Sequence, residues 1–228
     1  MRTQHMNSLL HQHTEFIVSA AIHAVLPDVA VVRALQGYRF GTGKIVLVAA
    51  GKAAWQMANA ASDCLGDRIA DGVVVTKYGH IKGPIAHIRC FEGGHPVPDD
   101  GSCRGTQAAL DLVHGLTPQD TVVFLLSGGG SALLEKPLIP LDELQDITQQ
   151  LLGCGADIVE INTIRKRLSA VKGGRFAMAC APAQVLCVVL SDVLGDPLDM
   201  IASGPACADS STCKDAENVV KKYGLHLS

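Results

Sequence analysis

Between residues 6 and 25 the apolar positions Leu9, Leu10, Phe16, Ile17, Ala20, Ala21 and Ala24 recur at helical spacing, which predicts a helix that stops at Pro27. The pattern then changes character. Ile45 to Ala50 is a short unbroken apolar run followed by Gly51, as expected of a strand buried on both faces. A helix is expected over 53–65, a strand over 72–76 and a weaker strand over 88–91. A helix over 101–115 leads to Thr121–Ser127, the clearest strand in the chain. Two helices over 141–152 and 157–171 precede a buried strand over 185–190. A last helix runs from about 212 to 223, with Gly224 as its stop.

Alternating strands and helices with short connections imply an α/β fold, three layers deep (α/β/α), around a mostly parallel, Rossmann-like sheet. The Pro- and Gly-rich stretch over 93–101 is too short to separate domains, so residues 1–228 read as one domain. In such sheets ligands bind beyond the carboxyl ends of the strands, and attention turns to those ends.

Composition narrows the class. Apolar residues are 48% and charged residues 18%, which excludes bulk disorder. A formal charge of −3 and 4% aromatics argue against a nucleic-acid partner. The eight cysteines form no C-x-x-C pair and no zinc-ligand pattern, so reduced thiols in a cytoplasmic protein are expected. His5, His11, His13 and Glu15 precede any apolar run, so no signal peptide is read. No apolar stretch is read as reaching the ~20 residues of a membrane span, and no membrane partner is expected.

Three strand ends carry candidate chemistry. Ser127, Gly128, Gly129, Gly130 and Ser131 follow the strongest strand, and bare glycine amides at a helix start favour a phosphate or carboxylate. A flexible turn is the other reading. Gly41-Thr-Gly-Lys44 resembles a Walker A fragment but precedes its strand, and Leu133 stands where a nucleophile elbow needs glycine. Lys52 begins a helix after a buried strand, locally unfavourable by ~0.3–1 kcal/mol, which suits either an anionic ligand or plain solvation. Asp192 and Asp196, four residues apart in a tight loop, could hold Mg²⁺ or simply cap turns. Asn162, Arg165, Ser169 and Lys172 follow i, i+3, i+7, i+10 and so line one face of that helix, either as a substrate-facing stripe or as a solvated one. His95, in a proline-stiffened loop, is a substrate contact or a structural histidine.

Taken together, Gly51-Lys-Ala-Ala54, Gly93-Gly-His-Pro-Val-Pro-Asp99, Leu126-Ser-Gly-Gly-Gly-Ser-Ala-Leu133, Asn162-Thr-Ile-Arg165, Lys172-Gly-Gly174, Ser191-Asp-Val-Leu-Gly-Asp196 and Ile201-Ala-Ser-Gly-Pro205 resemble the type II glycerate kinase family. The resemblance implies transfer of the ATP γ-phosphoryl group to glycerate, giving 2-phosphoglycerate, with Mg²⁺. It implies Lys52 and Asp192 as catalytic groups, Asp192 with Asp196 at the metal, and the 127–131 loop at phosphate. His95, Asn162, Arg165 and Lys172 are then expected at the substrate. Family members continue into a second, C-terminal MOFRL domain, and the active site lies in the cleft between the two. The resemblance covers only the first, so the expectation is an N-terminal domain that needs a MOFRL domain or chain as partner; a homodimer is left open.

Two other readings compete. A hydroxypyruvate reductase needs a dinucleotide site, but no G-x-G-x-x-G follows any expected strand. A catalytically inactive module that binds a nucleotide or a phosphorylated metabolite would also use the glycine loop.

Overall fold

The computed structural model describes residues 2–191 and 193–227. Two helices open the chain, α1 (Arg2–Val25) and α2 (Pro27–Gln36). They lead to β1 (Ile45–Ala50), α3 (Ala54–Leu65), β2 (Ile69–Lys77), β3 (Ile88–Gly93) and α4 (Asp100–Val113). Next come β4 (Thr121–Ser127), the short α5 (Gly130–Leu133), α6 (Leu141–Gly153) and α7 (Ile158–Arg167). The chain closes with α8 (Arg175–Ala179), β5 (Gln184–Leu190) and α9 (Cys213–Tyr223).

The five strands form one sheet in the order β3-β2-β1-β4-β5, and every pairing is parallel. Alternation along β1 explains the layering. Val46, Val48 and Ala50 pack on one face with Phe124, Val171 and Phe176, while Ile45, Leu47 and Ala49 pack on the other against Val31, Leu35 and Met57. Both faces of β1 and β4 are therefore buried, as continuous apolar strands require. A separate small core of Ile147, Leu151, Ile161, Ile164 and Val219 joins α6, α7 and α9.

The strand order fixes where a ligand can sit. From β1 the chain steps outward to β2 and β3, then returns to the other side of β1 for β4 and β5. The order thus reverses between β1 and β4, and the crevice beyond their carboxyl ends is the natural site of such a sheet. Ala50 pairs with Leu126 there, so Gly51-Lys52 and Ser127-Gly128 leave the sheet side by side.

Three expectations need correction. Pro27 does not only stop α1; it is the first residue of α2, where a missing amide costs nothing. Helix α7 ends at Arg167, not 171. There Pro137 and Ser169 form an antiparallel bridge, with Leu138 N donating to Leu168 O and Ala170 N to Lys136 O, so tertiary pairing overrides the helical period. Ser169 and Lys172 are therefore not on the helix that carries Asn162 and Arg165. Finally, the stretch Ser8–Gln36 is long and apolar enough by composition to cross a membrane, at mean hydropathy 1.7, contrary to the expected lack of such a run. It is interrupted at Leu26-Pro27; Val31 and Leu35 of α2 belong to the core, whereas residues 8–25 of α1 are all exposed, Phe16 at 74%.

Candidate functional site

The switch point is stitched together by the backbone. Lys52 N donates to Gly128 O at 2.9 Å, Ala53 N donates to Ser127 Oγ at 3.0 Å, and Gly51 N donates to Val75 O at 3.1 Å. Gly51 sits at φ 125°, and a Cβ there would fall 2.2 Å from Ser127 Oγ, so no side chain fits. Ser127 is buried and positions the loops rather than facing ligand.

Gly129, at φ 88°, is closely packed against two other loops. A Cβ on it would lie 2.9 Å from His95 Cδ2 and 3.2 Å from Lys52 Cγ. The residue thus brings together side chains from two other loops. Beside it is a cavity of about 200 Å³ whose lining includes His95, Gly128, Gly129, Ser131 and Arg165, with Met200 and Ala202 among its apolar walls.

A buried relay orients Ser131. Asn162 Nδ2 donates to Met200 O at 3.1 Å, which fixes the amide so that Oδ1 faces Ser203 Oγ at 2.7 Å. Oδ1 can only accept, so Ser203 gives its single proton to Asn162. Ser131 Oγ, 3.0 Å from Ser203 Oγ, must then donate to Ser203 and present its lone pairs as acceptors. Asn162 and Ser203 are both fully buried, and Asn162 is linked to the cavity through Ser203 and Ser131 without lining it. The backbone at Ala202 (φ 52°) and Ser203 (φ 61°) is left-handed without glycine, strain of order 1–3 kcal/mol per residue that clusters at functional sites.

Lys172 also lies beneath the surface. Its Nζ is 2.6 Å from Glu135 Oε2 and 2.9 Å from Leu134 O, and neither side chain of the pair is exposed beyond 2%. Burial pushes the Lys172 pKa down, with the Glu135 carboxylate opposing. The side chain expected at the substrate is therefore walled off from it. Arg165 does reach the cavity; burial lowers its pKa and Glu135 opposes this as well. Glu135 Oε1 is buried without a hydrogen-bond partner. One carboxylate thus serves two cations, one inside the core and one at the cavity.

The carboxylate pair is only partly described. Asp192 lies outside the described residues. Asp196 is exposed on a turn at φ 47°, its amide donating to Val193 O at 3.1 Å, and Val193 itself borders the cavity. Among the described residues no group of three His, Cys, Asp or Glu side chains is placed to hold a metal by itself. Mg²⁺ commonly uses one or two carboxylates and completes its shell with water and substrate phosphates, so this loop fits the ion only as a partial site.

Comparison with known proteins places this geometry. A family model described as a domain of unknown function, DUF4147, matches residues 13–228. The chain belongs to the DUF4147 family. It is 55% identical over 214 residues to the D-glycerate 2-kinase of Thermotoga maritima, covering 93% of this chain and 51% of that protein. It is 42% identical over 221 residues to the glycerate 2-kinase of Pyrococcus horikoshii, covering 92% and 49% respectively. An Agrobacterium vitis protein with a provisional hydroxypyruvate reductase name is 43% identical over 213 residues, or 92% of this chain and 48% of that protein. The crystal structure of glycerate kinase from Thermotoga maritima superimposes with a TM-score of 0.89 at 52% identity, over 97% of this chain and 53% of that one. The chain spans about half the length of the curated relatives it matches.

Within this DUF4147 chain several of the loops expected to carry chemistry converge: Gly128, Gly129, Ser131, His95 and Arg165 line one cavity, and Lys52 packs beside it, its Cγ 3.2 Å from a Cβ built at Gly129. Glu135 and Ser203 are the groups that sequence reasoning missed. The partner of Glu135 is 37 residues away, and no local pattern marks such a pair. Ser203 lay in a turn noted for its glycine and proline, and left-handed geometry at a serine has no sequence signature.

Proposed function

We propose that this chain is the N-terminal, phosphate-binding part of an enzyme that transfers the γ-phosphoryl group of ATP to glycerate, giving 2-phosphoglycerate. The observation that carries the proposal is the convergence at the sheet's switch point of Gly128, Gly129, Ser131 and Arg165 around a cavity of about 200 Å³, small enough for a three-carbon acid, with Lys52 packed beside it against Gly129. The kinase names of the relatives, and the fold shared with one of them, support it.

Phosphoryl transfer spreads charge over the transferring oxygens, and its catalysis is mostly positioning and electrostatic stabilisation. In this reading Arg165 takes the glycerate carboxylate, and Ser131, held as an acceptor, receives a glycerate hydroxyl. The C2 oxygen forms the new bond to the γ-phosphorus, the bond from that phosphorus to the β–γ bridging oxygen breaks, ADP leaves with its electrons, and the hydroxyl proton passes to solvent water. Lys52 stabilises the transferring oxygens. Mg²⁺, when bound, neutralises the phosphates, with Asp192 and Asp196 as its proposed protein ligands. The segment after β1, Gly51-Lys-Ala-Ala, lacks the glycine spacing of a dinucleotide site, which disfavours the reductase reading. The eight cysteines are unpaired, which supports a reducing cytoplasm as the proposed location.

A coupled assay for ADP release with D-glycerate tests the proposal, run with and without an added MOFRL domain. The expected result is Lys52-dependent turnover only when both parts are present. Saturable glycerate binding with no turnover in the assembled protein would favour a binding module instead.

A further inference from the structure

A second cavity, of about 420 Å³, lies on the other side of Lys52 and is lined by Lys52, Trp55, Gln56, Gly79, His80 and Lys82. Its loop is built rather than loose. Gly79 N, His80 N and Ile81 N all donate to Glu92 Oε1, at 2.8, 3.2 and 3.3 Å. Trp55 Nε1 donates to Gly83 O at 2.9 Å, which pins the far end of the loop to α3. His80 Nδ1 is 2.9 Å from Lys52 O; a carbonyl only accepts, so Nδ1 carries the proton and Nε2 is left for other contacts. The Lys82 ammonium stands 6.0 Å from the Trp55 ring centroid. Among the described residues no carboxylate lines the cavity.

Size and charge separate the two cavities. Small-molecule sites run ≈ 300–1,000 Å³, a range that includes the 420 Å³ cavity and not the 200 Å³ one beside Ser131. The larger space combines two lysines, a histidine and an indole face, the chemistry that recognises a flat base joined to phosphates. Lys52 lines the larger cavity, and its Cγ comes within 3.2 Å of a Cβ built at Gly129, on the lining of the smaller. We propose that the cavity between Trp55, His80 and Lys82 takes a nucleoside polyphosphate, so that Lys52 stands between nucleotide and acid. This inference rests on the kinase reading for the acid in the smaller cavity. It assigns the nucleotide to residues 52–56 and 79–82, and the 128–131 loop to the acid.

Trp55 is the chain's one tryptophan, so its fluorescence reports this cavity directly. The chain is titrated with ADP, inorganic tripolyphosphate and adenosine; equilibrium dialysis counts bound ADP and calorimetry follows D-glycerate. Saturable quenching by ADP is expected. Lys82→Ala should weaken ADP about tenfold, one exposed charge-assisted contact, while Lys82→Arg retains most of the affinity and D-glycerate binding is unchanged. Tripolyphosphate should compete with ADP, and adenosine should quench weakly; competition by tripolyphosphate without any quenching by ADP would mark a plain polyanion site and overturn the assignment. Dialysis that shows ADP bound without a change at Trp55 or sensitivity to Lys82→Ala, or no ADP bound at all, would overturn it too. Failure of the kinase reading would look different: ADP still quenches Trp55, but the assembled protein releases no ADP with D-glycerate.

Discussion

The buried pair of Lys172 and Glu135 offers the sharpest test of how this site is supported. Both side chains are within 2% of full burial and 2.6 Å apart, and the second Glu135 oxygen has no hydrogen bond. Removing one partner leaves an uncompensated charge in the core, which costs about 3–5 kcal/mol. Lys172→Met keeps the length of the stem and removes only the ammonium. For a chain of this size each kcal/mol lowers Tm by roughly 2–4 °C, so a fall of about 6–20 °C is expected. The double variant Lys172→Met/Glu135→Met removes both charges at similar volume. Buried ion pairs exchanged for apolar groups are often neutral or better, and only the Leu134 carbonyl loses a partner, about 1 kcal/mol. The double variant should therefore lie within about 2 kcal/mol of wild type, well above the single.

Urea denaturation followed by circular dichroism measures wild type, the two single variants Lys172→Met and Glu135→Met, and the double variant, with equal m values confirming comparable unfolding. A Lys172→Met cost below about 1 kcal/mol would show that the pair is not desolvated. A double variant as unstable as the sum of its singles would show that the two charges do not act as one unit. Either result would refute the reasoning.

Gly129→Val should abolish D-glycerate binding in a folded protein, because a β-branched residue resists φ 88° and its Cβ would strike His95; unchanged glycerate heats by calorimetry would count against this. Ser203→Ala leaves Asn162 Oδ1 buried without its donor and should cost about 1–3 kcal/mol in urea while freeing Ser131 to donate; Ser203→Thr is no rescue at a left-handed position. Glu160 accepts from Lys222 Nζ and Tyr223 Oη and its pKa is held down at about 2, first by the Lys222 hydrogen bond. The unfolded chain then binds the extra proton, so this stabilisation is complete above about pH 4.5 and is lost as pH falls towards 2. Acid melts of Glu160→Gln should accordingly slope less across that window than wild type, and parallel slopes would remove Glu160 from the account.

The central strands were legible because β1 and β4 are short apolar runs with no polar face to confuse the period, and they begin and end where the pattern does, whereas β2 runs from Ile69 to Lys77, past its apolar segment at both ends. Helices α3, α4, α6 and α9 were legible, but the shorter α2, α5 and α8 were not. Pro27 was read as an end because proline breaks a helix interior, yet the same ring suits a first turn. The stripe from Asn162 to Lys172 looked continuous because apolar spacing persists past Arg167, and only the pairing of residues 168–170 with 136–138 breaks it. Loop chemistry was legible at the glycine segment and at Lys52, since both sit at strand ends. It was not legible at Glu135, Ser203 or Lys82, whose roles depend on partners brought together by the fold.

Rigidity in this molecule is graded towards the ligand. Beneath the site the polar groups are fully enclosed and over-determined: Asn162 is fixed by Met200 and Ser203, and Lys172 by Glu135 and Leu134. Such groups are closed off from the cavity, but Asn162 and Ser203 set the direction of Ser131 on its lining. At the rim Lys52 and Lys82 are exposed cations on backbone that is itself pinned, by Gly128 O at one end and by Glu92 and Gly83 at the other. Exposed ammonium groups are well hydrated, and their attraction for phosphate is screened until water is excluded. Under the proposed function this chain would supply an anion-orienting part of the site while leaving its cations in high dielectric. A domain that closed over Lys52 would then act chiefly by lowering that dielectric, so adding it should raise kcat far more than the affinity for D-glycerate.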